Sequence, residues 1–245
     1  MVLTEIEKED RKLGKKLYDY QHGAIDMIFD HINSNPDNYN LLYQLPTGGG
    51  KTVIFSEIAR KYIATTGKKV LILTHRIELS KQTSQMLLEF GVANKIIDSN
   101  VKVVSNDANF YCFVAMVETL NNRLKEGKVS LSDIGMVIVD EAHYNSFRKL
   151  FKYFEACFIL GVTATPLSSN ILLPMHQIYK DLIVGENIST LIKNGFLSEA
   201  ATFGFNVSLT SLKVGMNGDY TVKSSEELYV QTSMQNKLIK AYEQE

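Results

Sequence analysis

The feature that most limits the folds open to this chain is one block in its first quarter. A β-rich apolar run ends at Gln44, Leu45-Pro46-Thr47-Gly48-Gly49-Gly50-Lys51-Thr52 follows, and an amphipathic stretch begins at once. Strand, glycine loop and helix in that order form an anion cradle. Glycines let successive backbone N–H groups turn inward, and the helix directs the positive end of its dipole at the same point. Lys51 is then placed to reach a bound phosphate, and Thr52 offers a hydroxyl to a divalent cation. The pattern G-x-x-x-x-G-K-[ST] asks for glycine where this chain has Leu45. The alternative reading of the block is a plain glycine-rich turn.

Around that block, short apolar runs alternate with amphipathic stretches, the mark of a parallel sheet covered by helices. Strands are expected at Tyr39 to Gln44, Lys69 to Thr74, Tyr111 to Ala115, Gly135 to Asp140 and Cys157 to Val162. Each is a nearly continuous hydrophobic run, as strands buried on both faces require. Helical spacing predicts Tyr20 to His31, Thr52 to Ala64 and Glu78 to Phe90. The expected class is α/β, a mainly parallel sheet with helices on both faces. After Pro166 the pattern weakens: Asn187 to Lys193 reads as a short helix and Ala200 to Val207 as a strand. Ser208 to Ser225 is polar and glycine-containing and is expected to leave the core domain.

With 245 residues, 45% of them hydrophobic, the chain can bury a substantial core. A formal net charge of -1 announces no polyanion, so any nucleic-acid footprint must be local. Cys112 and Cys157 sit in apolar runs without metal-ligand spacing and read as buried thiols of a reducing compartment. No run of about 18 apolar residues occurs, so no membrane partner is expected and a cytoplasmic location is.

A second chemical feature lies downstream. Met136-Val137-Ile138-Val139-Asp140-Glu141 is an apolar strand ending in two adjacent carboxylates, and strand ends of an open parallel sheet face the ligand crevice. Asp140 is expected to hold Mg²⁺, and Glu141 to orient and deprotonate an attacking water. Taken alone, the pair also fits an N-cap and first-turn acid of a following helix. Leu160-Gly161-Val162-Thr163-Ala164-Thr165-Pro166 repeats the arrangement with hydroxyls, so Thr163 and Thr165 are candidates for relaying the state of the ligand, although a capped turn explains them equally.

Together Gln44 to Thr52, Val139-Asp140-Glu141-Ala142-His143 and Gly161 to Pro166 resemble motifs I, II and III of the superfamily 2 DEAD/DEAH-box helicases. The departure at Leu45 agrees, because that superfamily commonly has P-T-G-x-G-K-T without the first glycine. Leu17-Tyr18-Asp19-Tyr20-Gln21 resembles the upstream element whose glutamine reads the adenine edge, with Tyr18 where arginine is frequent. Leu73 to Gln82 is similar to motif Ia, and Ala115 to Leu120 to the element after it, with Glu118 in place of the usual glutamine. The Thr-His-Arg and Asp-Glu-Ala-His boxes and Asn194-Gly195-Phe196-Leu197 look most like the branch of type III restriction subunits and DNA-repair helicases.

The resemblance implies a RecA-like P-loop domain that binds ATP with Mg²⁺. It implies nucleotide contacts from Gln21, Pro46, Thr47, Gly48, Gly49, Gly50, Lys51 and Thr52, with Thr52 and Asp140 on the metal and Lys51, Asp140 and Glu141 catalytic. His143, Thr163 and Thr165 are expected to couple nucleotide to track, and His75, Arg76 and Thr119 to contact nucleic acid. DNA is the expected track, with RNA left open. For His75 and Arg76 the helix N-terminus and cationic side chain suit phosphate, although a solvated helix start is the blander reading. The expected organisation is an extension at 1–15, the RecA-like domain at 16–207 and a tail at 208–245 leading toward an absent second RecA-like domain. That second domain supplies arginines in this superfamily, and here no arginine follows Arg148. The chain is accordingly expected to be a fragment of an ATP-dependent helicase or translocase. The alternative is an ATP-dependent clamp that needs a partner's arginine; a P-loop kinase or transporter ATPase fits less well, since neither predicts Gln21 or the Thr163-Ala164-Thr165 box.

Overall fold

A computed structural model describes residues 16–101, 109–129, 133–200, 209–215 and 220–243. Seven parallel strands form one sheet: β1 (Tyr39–Gln44), β2 (Lys69–Thr74), β3 (Asn94–Ile97), β4 (Cys112–Met116), β5 (Ile134–Asp140), β6 (Phe158–Thr163) and β7 (Asp181–Val184), in the spatial order β3-β4-β2-β5-β6-β1-β7. The helices are α1 (Asp19–Ser34), α2 (Lys51–Thr66), α3 (Ile77–Glu89), α4 (Val117–Lys125), α5 (Arg148–Phe151), α6 (Ile188–Lys193), α7 (Val222–Tyr229) and α8 (Thr232–Glu243).

Alternation along the strands explains why both faces are covered. Leu41, Tyr43, Val70, Ile72, Met136 and Ile138 join one apolar cluster with Ile25 and Ile28 of α1 and Ile54 and Ile58 of α2. Their neighbours Leu42, Leu71, Leu73, Val137 and Val139 join a second cluster with Leu120 of α4 and Leu150 of α5. Successive side chains of a strand point to opposite faces, so a run without polar breaks must be packed on both. All six residues of β2 and of β6 are buried accordingly.

The five expected central strands are present within a residue, and the three long helices within three residues at their ends; the short helix is present too, its N-cap Asn187 accepting from Thr190 N. Two strands were not expected. β3 and β7 are four-residue edge strands, too short to carry a periodic signal, and β7 is largely exposed. Helix α4 was also missed: Val117, Leu120 and Leu124 do follow helical spacing, but nine residues are little more than two turns. The strand expected at Ala200 to Val207 lies outside the described residues apart from Ala200, as does the expected limit at 207/208.

The chain divides into two compact units, Met1–Ser198 and Glu199–Glu245. The first holds the sheet. The second contains an antiparallel bridge between Val214 and Tyr220, and α7 and α8; Thr221 caps α7 by accepting from Ser224 N. No helix among the described residues is long and apolar enough to cross a membrane.

Candidate functional site

The chain leaves β1 and reaches β2 across the positions of β6 and β5, so the loop after β1 opens at the carboxyl ends of the strands where the order switches. This is where open parallel sheets hold ligands. Gly48 (φ +82°) and Gly50 (φ +84°) take left-handed backbone, which L side chains rarely adopt. Space is short as well: a Cβ at Gly50 would lie 2.5 Å from Gln21 Nε2, and one at Gly48 would lie 2.8 Å from Leu197 Cδ2. Gly50 is the N-cap of α2 and offers no side-chain acceptor, so the first N–H groups of that helix stay available. Pro46 O accepts from Gly49 N at 3.1 Å, and the buried Lys51 folds back to donate to Leu45 O at 3.3 Å.

Asp140 stands at the end of β5, 6% exposed. Burial, then the adjacent Glu141 carboxylate, push its carboxyl up to about 6, against the opposing pull of Lys51 and of the Glu141 N–H. Its Oδ1 accepts from Glu141 N at 3.0 Å, and no second side-chain or backbone donor reaches it among the described residues. Glu141 itself has φ +52°, an unfavourable value for a non-glycine residue. The turn holding it is closed by Ala142 N to Val162 O at 3.0 Å and Tyr144 N to Glu141 O at 3.1 Å.

Thr163 is buried and acts as a hub. Its hydroxyl donates to Thr165 O at 3.0 Å and accepts from Thr165 N at 3.1 Å, and His143 Nδ1 lies 3.0 Å away. A hydroxyl has one hydrogen, so Nδ1 carries the proton of that contact. Glu141 Oε2, 3.4 Å from the same nitrogen, faces the same donor. Thr163 O also accepts from Leu45 N at 3.0 Å, and Gln44 Nε2 donates to Ala164 O at 3.4 Å, so the ends of β1 and β6 are tied together beneath the glycine loop.

Thr47, His75, Arg76, Glu141, His143, Tyr144, Ala164 and Thr165 share the wall of one cleft of about 530 Å³. The turn before α3 is fixed by Thr74 Oγ1 and Ser80 Oγ at 2.6 Å, with Ser80 Oγ donating to Arg76 O at 3.3 Å. Arg76 is exposed. His75 Nδ1 is buried without a hydrogen-bond partner among the described residues, and burial, then Arg76, hold the imidazole below its ordinary value. Thr119 is not in this wall; it lies on α4, whose strand β4 ends beside β2, with Met116 opposite Thr74. Glu118, the departure noted beside it, is paired with Lys149.

Tyr20, Phe196, Leu197 and Tyr144 join the site without having been foreseen, and the first three gather around Gln21 and the glycine loop. Gln21, expected at an adenine edge, is 3% exposed; its Oε1 accepts from Tyr18 N at 3.0 Å and its Nε2 donates to Tyr20 Oη at 3.4 Å. Tyr20 in turn donates to Gly49 O at 2.8 Å. Phe196 packs on Tyr18 and Tyr20, with ring centroids 4.6 and 5.0 Å apart, and Leu197 covers Gly48. Tyr144 sits between two histidines. The only sequence signal for Tyr20 was adjacency to Gln21; nothing in sequence joins Phe196 to a loop about 150 positions away.

Comparison with known proteins follows this geometry. Residues 14–168 match the family model described as type III restriction enzyme, res subunit. The Saccharomyces cerevisiae protein IRC3, whose name carries the words ATP-dependent helicase, is 34% identical over 164 residues, covering 61% of this chain and 23% of IRC3. ATP-dependent DNA helicase mph1 of Neurospora crassa is 32% identical over 182 residues, covering 67% of this chain and 15% of mph1. The chain therefore spans under a quarter of either relative. The crystal structure of the UvsW helicase from bacteriophage T4 shares the fold at TM-score 0.54 and 20% identity, over 70% of this chain and 61% of that one. The match of 14–168, which contains the glycine loop, the acidic box and the Thr163–Thr165 turn, shows that this chain belongs to the family of type III restriction enzyme res subunits.

Proposed function

We propose that this chain is the ATP-binding RecA-like domain of an ATP-dependent DNA helicase or translocase. The observation that carries the reading is that the buried Lys51 and the buried Asp140 converge at the carboxyl ends of the strands, with the Lys51 charge acting on the Asp140 carboxyl. The phosphates of ATP fit the free N–H groups of α2, with Lys51 turning from Leu45 O to the terminal phosphates. Pro46, Thr47, Gly48, Gly49 and Gly50 supply the cradle, and Gln21 with the Tyr18, Tyr20 and Phe196 rings borders the side where a base fits.

The donor set suits Mg²⁺. Thr52 and Asp140 offer oxygen, and no group of three His, Cys, Asp or Glu side chains among the described residues forms a cage, which matches a cation held by one or two protein oxygens plus substrate phosphates. Thr52 and Asp140 would hold the cation, which would supply positive charge against the charge developing on the phosphates. Asp140, raised toward protonation by burial, is the carboxylate that gains most from such a neighbour. Glu141 orients the attacking water and accepts its proton, while the Nδ1–H of His143, tied to Thr163, holds the Glu141 carboxylate. Arg76 and the N-terminus of α3 suit a nucleic-acid backbone, and Thr119 at the parallel end of β4 extends that track. Hydrolysis requires arginines from a second RecA-like domain in cis. The relatives' names and the cleft joining Glu141 to Arg76 support DNA as the track.

The test is DNA-stimulated ATP hydrolysis by the natural full-length protein. Glu141→Gln is expected to lower turnover about 10²–10⁴-fold while nucleotide affinity is kept, the range for loss of a general base. Turnover unchanged by Glu141→Gln removes the reading.

A further inference from the structure

Resting on that reading, we propose that Tyr144 is a positioning residue: its ring carries the engagement of DNA at His75 and Arg76 to the catalytic Glu141. The Tyr144 ring lies 4.4 Å from the His75 ring and 4.3 Å from the His143 ring, centroid to centroid, inclined at 40° and 37°. It therefore forms the middle of a three-ring row, with no gap for water, running from the start of α3 to the acidic box. At the far end His143 Nδ1 faces Glu141 Oε2 at 3.4 Å.

Tyr144 has a second hold on Glu141. Its backbone N–H donates to Glu141 O at 3.1 Å and closes the turn that keeps Glu141 at φ +52°. A non-glycine residue stays at that value only while its surroundings enforce it. Displacement of the Tyr144 ring therefore bears on Glu141 through the side chain of His143 and through the backbone at once.

At the near end the His75 ring is held by packing alone, on a turn whose backbone is tied by Thr74 and Ser80. His75 Nδ1 is buried with no partner among the described residues, so no hydrogen bond fixes the ring, and the adjacent Arg76 is exposed to the track. A phosphate drawn to Arg76 acts on the residue next to His75, and the His75 ring has Tyr144 against it. The Tyr144 hydroxyl makes no protein hydrogen bond among the described residues, which assigns the task to the ring face. Direct packing of this kind is a contiguous physical link between the two sites, and a measured coupling between the two ligands decides whether it carries the signal.

Coupling between ligands is reciprocal, so it can be read without hydrolysis. Affinity for a fluorescent single-stranded DNA oligonucleotide is measured by anisotropy on the full chain, with and without Mg²⁺ and a non-hydrolysable ATP analogue. For the wild type the two affinities are expected to differ at least about fivefold, the lower end of typical coupling. Tyr144→Phe keeps that ratio. Tyr144→Leu and Tyr144→Met, which fill space without a ring, bring it to about one while affinity for the ATP analogue alone stays within about twofold. A ring serving only as packing lowers stability and leaves the ratio in place. Retention of the wild-type ratio in the folded Leu or Met variant overturns the proposal, as does a wild type that binds both ligands without coupling. A wild type that binds neither ligand instead overturns the reading beneath it.

Discussion

Asp140→Asn should make the protein more stable while weakening its hold on Mg²⁺ and ATP. The carboxyl is 6% exposed and held at about 6, against an ordinary value of 3.8. The folded state therefore takes up this proton more readily than the unfolded state does. A group raised in this way contributes stability below its unfolded value, and the contribution is lost as pH rises through the folded value. The difference between about 6 and 3.8 corresponds to about 3 kcal/mol of destabilisation fully present above pH 7. Asparagine is isosteric, keeps an acceptor for Glu141 N and carries no charge, so Asp140→Asn recovers that amount. Urea unfolding at pH 7.5 should show the variant more stable by about 3 kcal/mol, with the gap shrinking as pH falls through about 6 and largely gone by about pH 4. In thermal melts the gain at neutral pH corresponds to roughly 6–12 °C for a protein of this size. Equal stability of the two proteins at pH 7.5, or a gap that does not shrink on acidification, refutes the reasoning about burial.

Gly50→Ala combines left-handed backbone at φ +84° with a Cβ 2.5 Å from Gln21 Nε2, and is expected to lower stability by about 1–3 kcal/mol in urea. A change under about 0.5 kcal/mol contradicts the loop geometry. Thr163→Val removes the hydroxyl that serves Thr165 N, Thr165 O and His143, leaving three part-buried polar groups without that partner. It should destabilise by about 1–3 kcal/mol and lower DNA-stimulated turnover of the full-length protein without altering nucleotide affinity, measured by stopped-flow nucleotide binding beside steady-state turnover. Loss of nucleotide affinity instead assigns Thr163 to the binding site.

The central sheet was legible because strands buried on both faces leave continuous apolar runs, as Lys69 to Thr74 and Gly135 to Asp140 do. The glycine loop was legible because its order of strand, glycines and Lys-Thr is local in sequence. Edge strands β3 and β7 were not, since four residues are too few to carry a period. Much of the candidate site depends on contacts between distant positions. Phe196 and Leu197 reach the loop only after β7 has been laid beside β1, and the Lys149 partner of Glu118 comes from a helix 31 positions away. The row His75, Tyr144 and His143 exists because β2 and β5 are neighbours with Leu73 opposite Val139, a register no single segment encodes.

Isothermal titration of the chain with ATP in the presence of Mg²⁺ tests the central claim most directly. One site is expected, with Lys51→Ala weakening it at least about tenfold, about 1.4 kcal/mol, through loss of a charged hydrogen-bond donor to phosphate. Absence of binding by the wild type, or an affinity unchanged by Lys51→Ala, contradicts it.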